Sequence, residues 1–506
     1  MAASTVDNCL VGYTVRLGAS ISIPVPFVND VGTVTATTSS PDLTVVPVRN
    51  KDGSVAVSVM AHHAPTQLGQ TTVDITESTL GKASDRTVAV YISPIAAAST
   101  LAGGKTTNPG TTDEPFLTFQ QAAAVAAPGD TIILKSLGPN GQDGLMHDVS
   151  QAEQNFASAP AVNLPANVTV ASPSTTTRSE LHMPIVLGGD VILNDLDIEE
   201  PRLQISKPGS KVKLTDSTIV GKGIEIQASA STAPGAPPTT LTIDNRGSSS
   251  GDIRNDDPTL NSLSVAADNA VVAIDNGWIH SNSIAPIHSE GSGVVISIND
   301  GTVIENDADG PSLELDKPSV ELTNASSLDL DTVKIRGVIQ ILDPSNVATI
   351  NDTTFEVAES TGQIIFNGST MTVDNSSFPG LAIIQDNPLS YVKLHNSQIL
   401  NYTESGYRLQ AGFLDAGTMD EPGNNTFVDF FFASNSRSLG PTQPAALSVE
   451  VLDPPANGVV ATSSASMFNG MQPGTCTASQ TQNMTMDMPG IVAITTPAYP
   501  IEVNFY

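Results

Sequence analysis

The sequence predicts an all-β protein whose centre is a right-handed parallel β-helix, flanked by an N-terminal β-sandwich and a C-terminal β domain. Three observations predict this fold: short runs that alternate apolar and polar residues, abundant turn-forming residues, and an aliphatic pattern that recurs every 21 to 31 residues. Gly, Pro, Ser, Thr, Asn and Asp favour many short strands joined by turns over long helices. At 506 residues, the chain can form two or three domains, each with its own core.

The charge of the chain limits what it can bind. Its 52 acidic and 21 basic residues give a formal net charge of −31, which repels nucleic-acid phosphates and anionic membranes. A solvated acidic surface is the simpler interpretation, and cation binding by some of the acids is the alternative. Two cysteines, Cys9 and Cys476, cannot build a disulfide framework or a zinc cluster. We find no signal-peptide pattern and no membrane-length apolar stretch, so we expect synthesis without a secretion leader and no membrane insertion.

Residues 1–95 are predicted to form a β-sandwich. Alternating runs at 20–23, 43–46, 55–59, 72–75 and 87–92 belong to about seven short strands. Three phrases, at 36–43, 52–55 and 69–73, together resemble the bacterial immunoglobulin-like repeat of adhesins and phage structural proteins. This resemblance implies a spacer or docking module.

Residues 96–135 are predicted to be a linker and a helix that leads into the β-helix. Phe116, Phe119, Ala123 and Ala126 recur at helical spacing, and Pro128-Gly129 ends the helix before a strand at 131–134. The stretch 115–132 resembles the entry into right-handed β-helices of the pectate-lyase-like superfamily. In that superfamily a helix covers the open end of the solenoid, where apolar core and strand edges would otherwise be exposed.

Residues 136–403 contain the repeat that predicts the β-helix. Apolar residues stand two and four positions before each of nine Asn or Asp residues, and in seven cases another stands three positions after. We expect these Asn and Asp residues at one corner of each coil, because they tolerate left-handed backbone and bond nearby backbone groups. The predicted corner residues are Asp195, Asp216, Asn245, Asn276, Asp300, Asn324, Asp352, Asn375 and Asn396.

The spacing of these corners indicates where the coils carry insertions. Ser248 and Ser327 break the apolar pattern after a corner, and we place 233–238 and 253–258 in loops outside the coils. Ile243, Ile274 and Ile298 are predicted to form one interior column. A leucine-rich repeat has a similar period, but the Leu consensus and helical returns that it needs are absent. Residues 404–506, where the repeat is lost, are predicted to form a separate C-terminal β domain with a Met-rich core or interface.

The superfamily resemblance implies carbohydrate cleavage as one candidate activity. Hydrolases of this fold cluster Asp residues on the outer wall, and the one close Asp pair in the repeat region is Asp256-Asp257. The Gly-His-Gly phrase typical of that branch is missing, and Lys334-Ile335-Arg336-Gly337 matches its Arg-Ile-Lys phrase only in reverse. A solvated turn explains the Asp pair more simply, so we expect no catalytic residues and keep catalysis by the pair as the alternative.

Two further binding sites are candidates. Trp278 is predicted to face outward, where it could contact a glycan or a neighbouring subunit. Glu305, Asp307 and Asp309 loosely follow a calcium-loop pattern, although turn chemistry explains the same residues. Otherwise no cofactor is expected, and the histidines have no metal-binding spacing.

Three expectations favour a non-enzymatic structural or attachment protein on the surface of a bacteriophage-like virion. They are the rigid solenoid, the missing secretion leader and the missing active site. The final step, from rigid solenoid to virion, is an analogy. The expected partners are further copies of the chain, other virion proteins, and a host surface polysaccharide or receptor. One alternative is a polysaccharide-degrading tailspike or lyase, and the second is a bacterial cell-surface adhesin.

Overall fold

A computed structural model of the protein describes residues 12–98, 119–134, 161–306, 318–356, 363–429 and 445–505, with short gaps inside these ranges. Strands make up 65% of the structure and helix 3%, which confirms the predicted all-β class. The chain divides into two compact units, residues 1–148 with 164–179, and residues 149–163 with 180–506.

Two sheets in the first unit share one apolar core. One sheet contains, in spatial order, Gly12–Arg16, Lys82–Ser93, Gln70–Thr79 and Thr33–Thr38, and the other contains Ser20–Val25, Val55–Ala61 and Leu43–Arg49. Only Gly12–Arg16 pairs in parallel with its neighbour. Since alternate residues point inward, Val57 and Val59 of one sheet pack with Val73 and Ile75 of the other. This arrangement is a β-sandwich, and its likeness to an immunoglobulin-like module stays a prediction.

A short helix and a parallel ladder follow in the first unit. The helix, Phe119–Val125, buries Phe119 and Ala123, as its spacing predicts, and it ends shortly before Gly129. The predicted helix inside residues 96–135 is therefore confirmed, while its capping role stays a prediction. The parallel ladder contains Ile95–Ala98, Thr131–Leu134 and Val168–Ala171, so parallel pairing begins inside the predicted linker. Two further short strands, Val162–Leu164 and Ser179–Leu181, lie at the boundaries between the two units along the chain.

The second unit is a parallel β-helix built from three strand ladders, in which each coil adds one strand to each ladder. The first ladder contains Ile185–Leu187, Leu203–Ile205, Ile224–Ile226, Leu263–Val265, Ile287–Ser289, Pro318–Leu322, Val338–Ile341, Ile364–Phe366, the first halves of Ile383–His395 and Ser405–Ala416, Ala445–Val449 and Val492–Ile494. The second contains Val191–Asn194, Lys211–Thr215, Thr240–Asp244, Val271–Asp275, Val294–Asn299, Ser326–Asp331, Val347–Asn351, Thr370–Asp374, the second halves of the same two long strands, Val459–Ser463 and Ile501–Phe505. The third contains Leu196–Glu199, Thr218–Gly221, Asp252–Asn255, Trp278–Ser281, Val303–Asn306, Lys334–Arg336, Thr354–Phe355, Ser377–Pro379, Gln398–Tyr402, Thr426–Asp429 and Met467–Phe468.

Inward residues of successive coils stack into continuous apolar columns. Ile243, Ile274 and Ile298 occupy equivalent positions of neighbouring second-ladder strands, and each is at most 1% exposed. Burial of such columns stabilises the fold by about 25 cal/mol for each Å² of apolar surface that leaves water, and it holds the coils in register. The predicted interior column is therefore confirmed.

The corner between the second and third ladders has a left-handed backbone in most coils. Seven of the nine predicted corner residues have φ between 46° and 55°, namely Asp195, Asp216, Asn276, Asp300, Asp352, Asn375 and Asn396. Asn and Asp adopt this region at lower cost than other residues with a side chain, because their short polar side chains bond locally. This explains why the sequence repeats them there.

The predicted corner at Asn324 is wrong. Asn324 follows a first-ladder strand, while the second-ladder strand of that coil is Ser326–Asp331, in which Leu328 and Leu330 face the core. The corner of this coil is Thr332, with φ of 59°. The misassignment arose because Val320 and Leu322 of the first ladder show the same apolar spacing as a second-ladder strand.

In two coils, the number of residues between the corner and the next third-ladder strand differs from the predicted number. Asn245 is fully buried, and the third-ladder strand after it begins at Asp252; Ile253 of that strand is 2% exposed and stacks between Ile219 and Ile279. The expected loop at 253–258 is therefore wrong for residues 253–255, which belong to this strand. After Asp300 one extra residue, Gly301, shifts the inward position from Val303 to the fully buried Ile304.

Buried polar side chains directly after the corners tie neighbouring coils together. Ser376 Oγ donates to the Asp374 carbonyl at 2.8 Å and accepts the Thr353 N–H of the previous coil at 3.2 Å. Ser397 makes the same pair of bonds one coil later, and Asn425 takes this place in the coil after that. Each such side chain satisfies backbone groups that the sharp corner leaves without a strand partner.

Parallel pairing does not end at residue 403, where the sequence predicts a domain boundary. Ser405–Ala416 pairs in parallel with Ile383–His395, with register shifts between its two halves, and Ala445–Val449 and Val459–Ser463 add a further coil. An antiparallel element appears only afterwards, where Cys476–Thr481 pairs with Met484–Thr485 and Ile501–Phe505. The predicted C-terminal β domain therefore begins, at residue 404, as a continuation of the ladders.

Candidate functional site

Outward side chains of four neighbouring third-ladder strands form a polar and aromatic cluster around Trp278. The strands are Asp252–Asn255, Trp278–Ser281, Val303–Asn306 and Lys334–Arg336. Their inward residues are the buried Ile253, Ile279, Ile304 and Ile335, so alternation places the residues on either side of each on the outer face. We call this cluster the Trp278 face: Asp252, Trp278, His280, Glu305 and Arg336 of these strands, together with Glu356, which directly follows the next third-ladder strand, Thr354–Phe355.

Trp278 is held in one orientation by two neighbours. Its ring stacks on His280 with centroids 4.4 Å apart and an interplanar angle of 15°. Its Nε1–H donates to Glu305 Oε2 at 3.2 Å. The side chain is nevertheless 42% exposed, and because one ring face lies against His280, the opposite face and the rim provide that exposure. The outward orientation expected of Trp278 agrees with this exposure.

His280 is the buried support of the indole. It is 2% exposed, and its Nε2 lies 2.7 Å from Asp252 Oδ1 of the previous coil. Its backbone carbonyl accepts the hydroxyl of Ser262, which ties the strand to the neighbouring turn. The carboxylate of Asp252 fixes the imidazole ring, and the fixed ring in turn holds the stacked indole of Trp278 in place.

Arg336 connects the cluster to the following coils. Its Nη1 donates to Glu305 at 2.9 Å, and its Nε donates to Glu356 at 2.7 Å. The hydrogen bond to Glu356, opposed by partial burial and reinforced by Glu305, raises the pKa of the guanidinium above its usual value. Lys334 lies 3.8 Å from the other oxygen of Glu356. Lys334 and Arg336 are therefore both engaged by carboxylates, and the third cation of these strands is Arg254, the exposed in-register neighbour of His280.

Of the Asp pair considered for catalysis, the structure describes only Asp257, and Asp256 lies outside the described residues. Asp257 caps a turn, because its Oδ1 accepts the backbone N–H of Thr259 at 2.9 Å and the hydroxyl of Thr259 at 2.7 Å. The hydroxyl bond, followed by the backbone bond, lowers the pKa of Asp257, which is the signature of turn stabilisation. A general acid would require the opposite shift.

The calcium candidates are only partly described. Glu305 bonds Trp278 and Arg336, while Asp307 and Asp309 lie outside the described residues. Within the described ranges, no group of three or more His, Cys, Asp or Glu side chains could hold a metal ion. Calcium binding by Glu305, Asp307 and Asp309 stays a prediction.

The edge beside the Trp278 face carries one carboxylate per coil. In eight successive coils, either the last residue of the second-ladder strand or the corner residue after it is Asp, and the other is Asn or Thr. Asn299 Nδ2 donates to Asp275 at 3.1 Å and Asn396 Nδ2 to Asp374 at 2.7 Å, so amides offset the repulsion between like charges. We call this row the acidic edge: Asp195, Asp216, Asp244, Asp275, Asp300, Asp331, Asp352 and Asp374.

Sequence reasoning singled out Trp278 and Glu305 but missed Asp252, His280 and Glu356. The insertion after Asn245 concealed the strand that carries Asp252, because the pattern could not show where the coil resumes. A usable signal did exist for His280, which stands two residues after Trp278 and must share its face in a strand. Cross-coil contacts such as that of Glu356 required the register.

No protein-family model matches the chain, and neither the curated proteins nor the solved structures give a match. In the described part of the chain, none of the helices has the length and apolar character needed to span a membrane.

Proposed function

We propose that the protein is a non-enzymatic structural or attachment component on the surface of a virus-like particle, with the Trp278 face as its contact surface. The observation that carries the proposal is the exposed indole, which His280 and Glu305 hold in place on the β-helix. A side chain fixed before binding loses little conformational entropy when a partner docks.

The β-helix supports a scaffold role because its coils are joined throughout by backbone pairing and by sealed apolar columns. Coils contact mainly their neighbours, so a long ladder resists local opening and keeps a distant surface in place. The outer face of the second ladder also suits side-by-side packing of copies. Small residues occupy most of the equivalent outward positions in the middle of this ladder, namely Thr242, Ala273, Ser297, Thr349 and Thr372, with Asp329 between Ser297 and Thr349.

Polysaccharide cleavage is the competing function. The turn-capping role of Asp257 argues against it, since that carboxylate is already committed to Thr259. A cleavage assay on host surface polysaccharides decides the matter. Release of reducing ends or unsaturated uronates by the purified chain, lost on D257N, would replace the proposal by an enzymatic function.

Electron microscopy with gold-labelled antibody against the chain tests the location. We expect label on particles purified from the producing culture; label on cell envelopes alone would favour an adhesin and contradict the proposal. The contact surface is tested by binding of the purified chain to particles and host cells. Trp278→Ala should reduce that binding, while Leu389→Ala, which removes an exposed apolar side chain between the two paired halves of Ile383–His395, should not. Equal loss in both variants, or in neither, would exclude the Trp278 face.

A further inference from the structure

The free face of Trp278 points toward the acidic edge. His280 follows Trp278 by two residues along the strand and covers one ring face, so the other face is directed back toward the corner at Asn276. The carboxylates of Asp275 and Asp300 belong to that corner and to the next one. Val303, the partly exposed in-register neighbour of Trp278 in the next coil, adds an apolar contact.

The side of the indole opposite His280 leads to acidic residues. Asp275 and Asp300 belong to the two corners on that side. The basic residues lie elsewhere: Arg254 is the in-register neighbour of His280 on the covered side, Arg336 bridges two carboxylates, and Lys334 lies next to Glu356. The π-face of a tryptophan is itself the most favourable aromatic partner for a cation. A negatively polarised ring in an acidic setting selects for a positively charged group with an alkyl stem.

We propose that the free face of Trp278 binds the lysine or arginine side chain of a partner protein, with Asp275 and Asp300 beside the cation. This inference rests on the proposed function and names the partner chemistry of the same surface. An anionic glycan would be repelled by the acidic edge, and a neutral glycan would gain nothing from Asp275 and Asp300.

Trp278 is the only tryptophan in the chain, so tryptophan fluorescence of the full-length protein reports this site alone. Titration with a short lysine peptide should give a saturable change in Trp278 fluorescence, and the apparent affinity of the peptide should fall as salt is added. The same peptide with acetylated lysines, and a neutral oligosaccharide, should give none. A saturable change with the acetylated peptide or the oligosaccharide, or no change with the lysine peptide, would overturn the cation assignment.

Variants of the acidic edge separate this site from unspecific attraction to a chain of net charge −31. Asp300→Asn and Asp275→Asn should each weaken binding of the lysine peptide about two- to fivefold, the usual range for one exposed charge pair. Asp352→Asn is the matched control, because Asp352 is also a left-handed corner residue but lies three coils from Asn276, beyond the screening length at moderate salt. Asn occupies equivalent corners elsewhere, so these variants should fold. Equal weakening by Asp352→Asn would refute a specific site.

The outcomes distinguish this inference from the proposed function. If Trp278→Ala abolishes binding to particles or cells while Asp275→Asn and Asp300→Asn leave it unchanged, the contact surface stands and the cation assignment fails. If Trp278→Ala has no effect on that binding, the contact surface itself is wrong.

Discussion

Truncation of one interior side chain tests the core arrangement on which the site depends. Ile274 is fully buried between Ile243 and Ile298 of the adjoining coils. Ile274→Ala removes three carbons, worth about 0.8 kcal/mol each on transfer from water, or about 2.4 kcal/mol. The unfilled cavity adds to this loss, and substitutions of this kind cost about 2–5 kcal/mol in total.

The matched control is Ile192→Ala, which makes the same chemical change at a side chain that is 43% exposed on the same ladder. We expect its effect to stay within about 0.5 kcal/mol. Guanidinium unfolding followed by circular dichroism measures both variants, and Trp278 fluorescence reports the coil of Ile274 directly. Equal destabilisation by the two substitutions would refute the interior columns, and with them the outward direction assigned to the Trp278 face.

Three further predictions follow from the corners and the C-terminal coils. Thr332→Asn should raise the free energy of unfolding by about 0.5–1 kcal/mol in the same unfolding assay, because a β-branched residue at φ of 59° is strained and Asn is not; a loss of stability would contradict the assigned corner. Ser376→Ala should cost about 1–3 kcal/mol because it leaves the buried Thr353 N–H without an acceptor, whereas Ser377→Ala on the outer face serves as the control that should cost little. Burial opposes ionisation of Asp415, but hydrogen bonds from Tyr391 and Gly417 outweigh it and lower its pKa, so its contribution to stability is present above about pH 4 and is lost as the pH falls through the lowered pKa. The thermal midpoints of the wild type and of Asp415→Asn should therefore converge on acidification, and a constant difference from neutral to acidic pH would contradict this.

Much of the fold could be predicted from local pattern. Interior columns such as Ile243, Ile274 and Ile298 could be predicted from the sequence because a β-helix repeats the same burial requirement in every coil. Corner residues such as Asn276 could be read because few side chains tolerate left-handed backbone. The short helix at Phe119–Val125 and its stop were visible for the same local reasons.

Other features depended on which residues are neighbours in space. The strand beginning at Asp252 follows an insertion of variable length, so only cross-coil pairing with Trp278 fixes its place. Thr332 was missed because its residue type gives no corner signal, and the apolar spacing of the first ladder imitated that of the second. Continuation of the ladders past residue 403 was hidden because Tyr407 occupies a position where earlier coils carry aliphatic residues, and because register shifts interrupt the pairing of Ile383–His395 with Ser405–Ala416.

The sequence by itself determined that this protein is a β-solenoid with a regular polar corner and an outward Trp278. Those properties follow from the period of single residues along the chain, which burial and backbone sterics impose locally. Only the tertiary structure decided that Trp278 stands on His280, bonds Glu305 and lies beside the acidic edge. Such contacts join different coils, and their register is set by the summed packing of all three ladders.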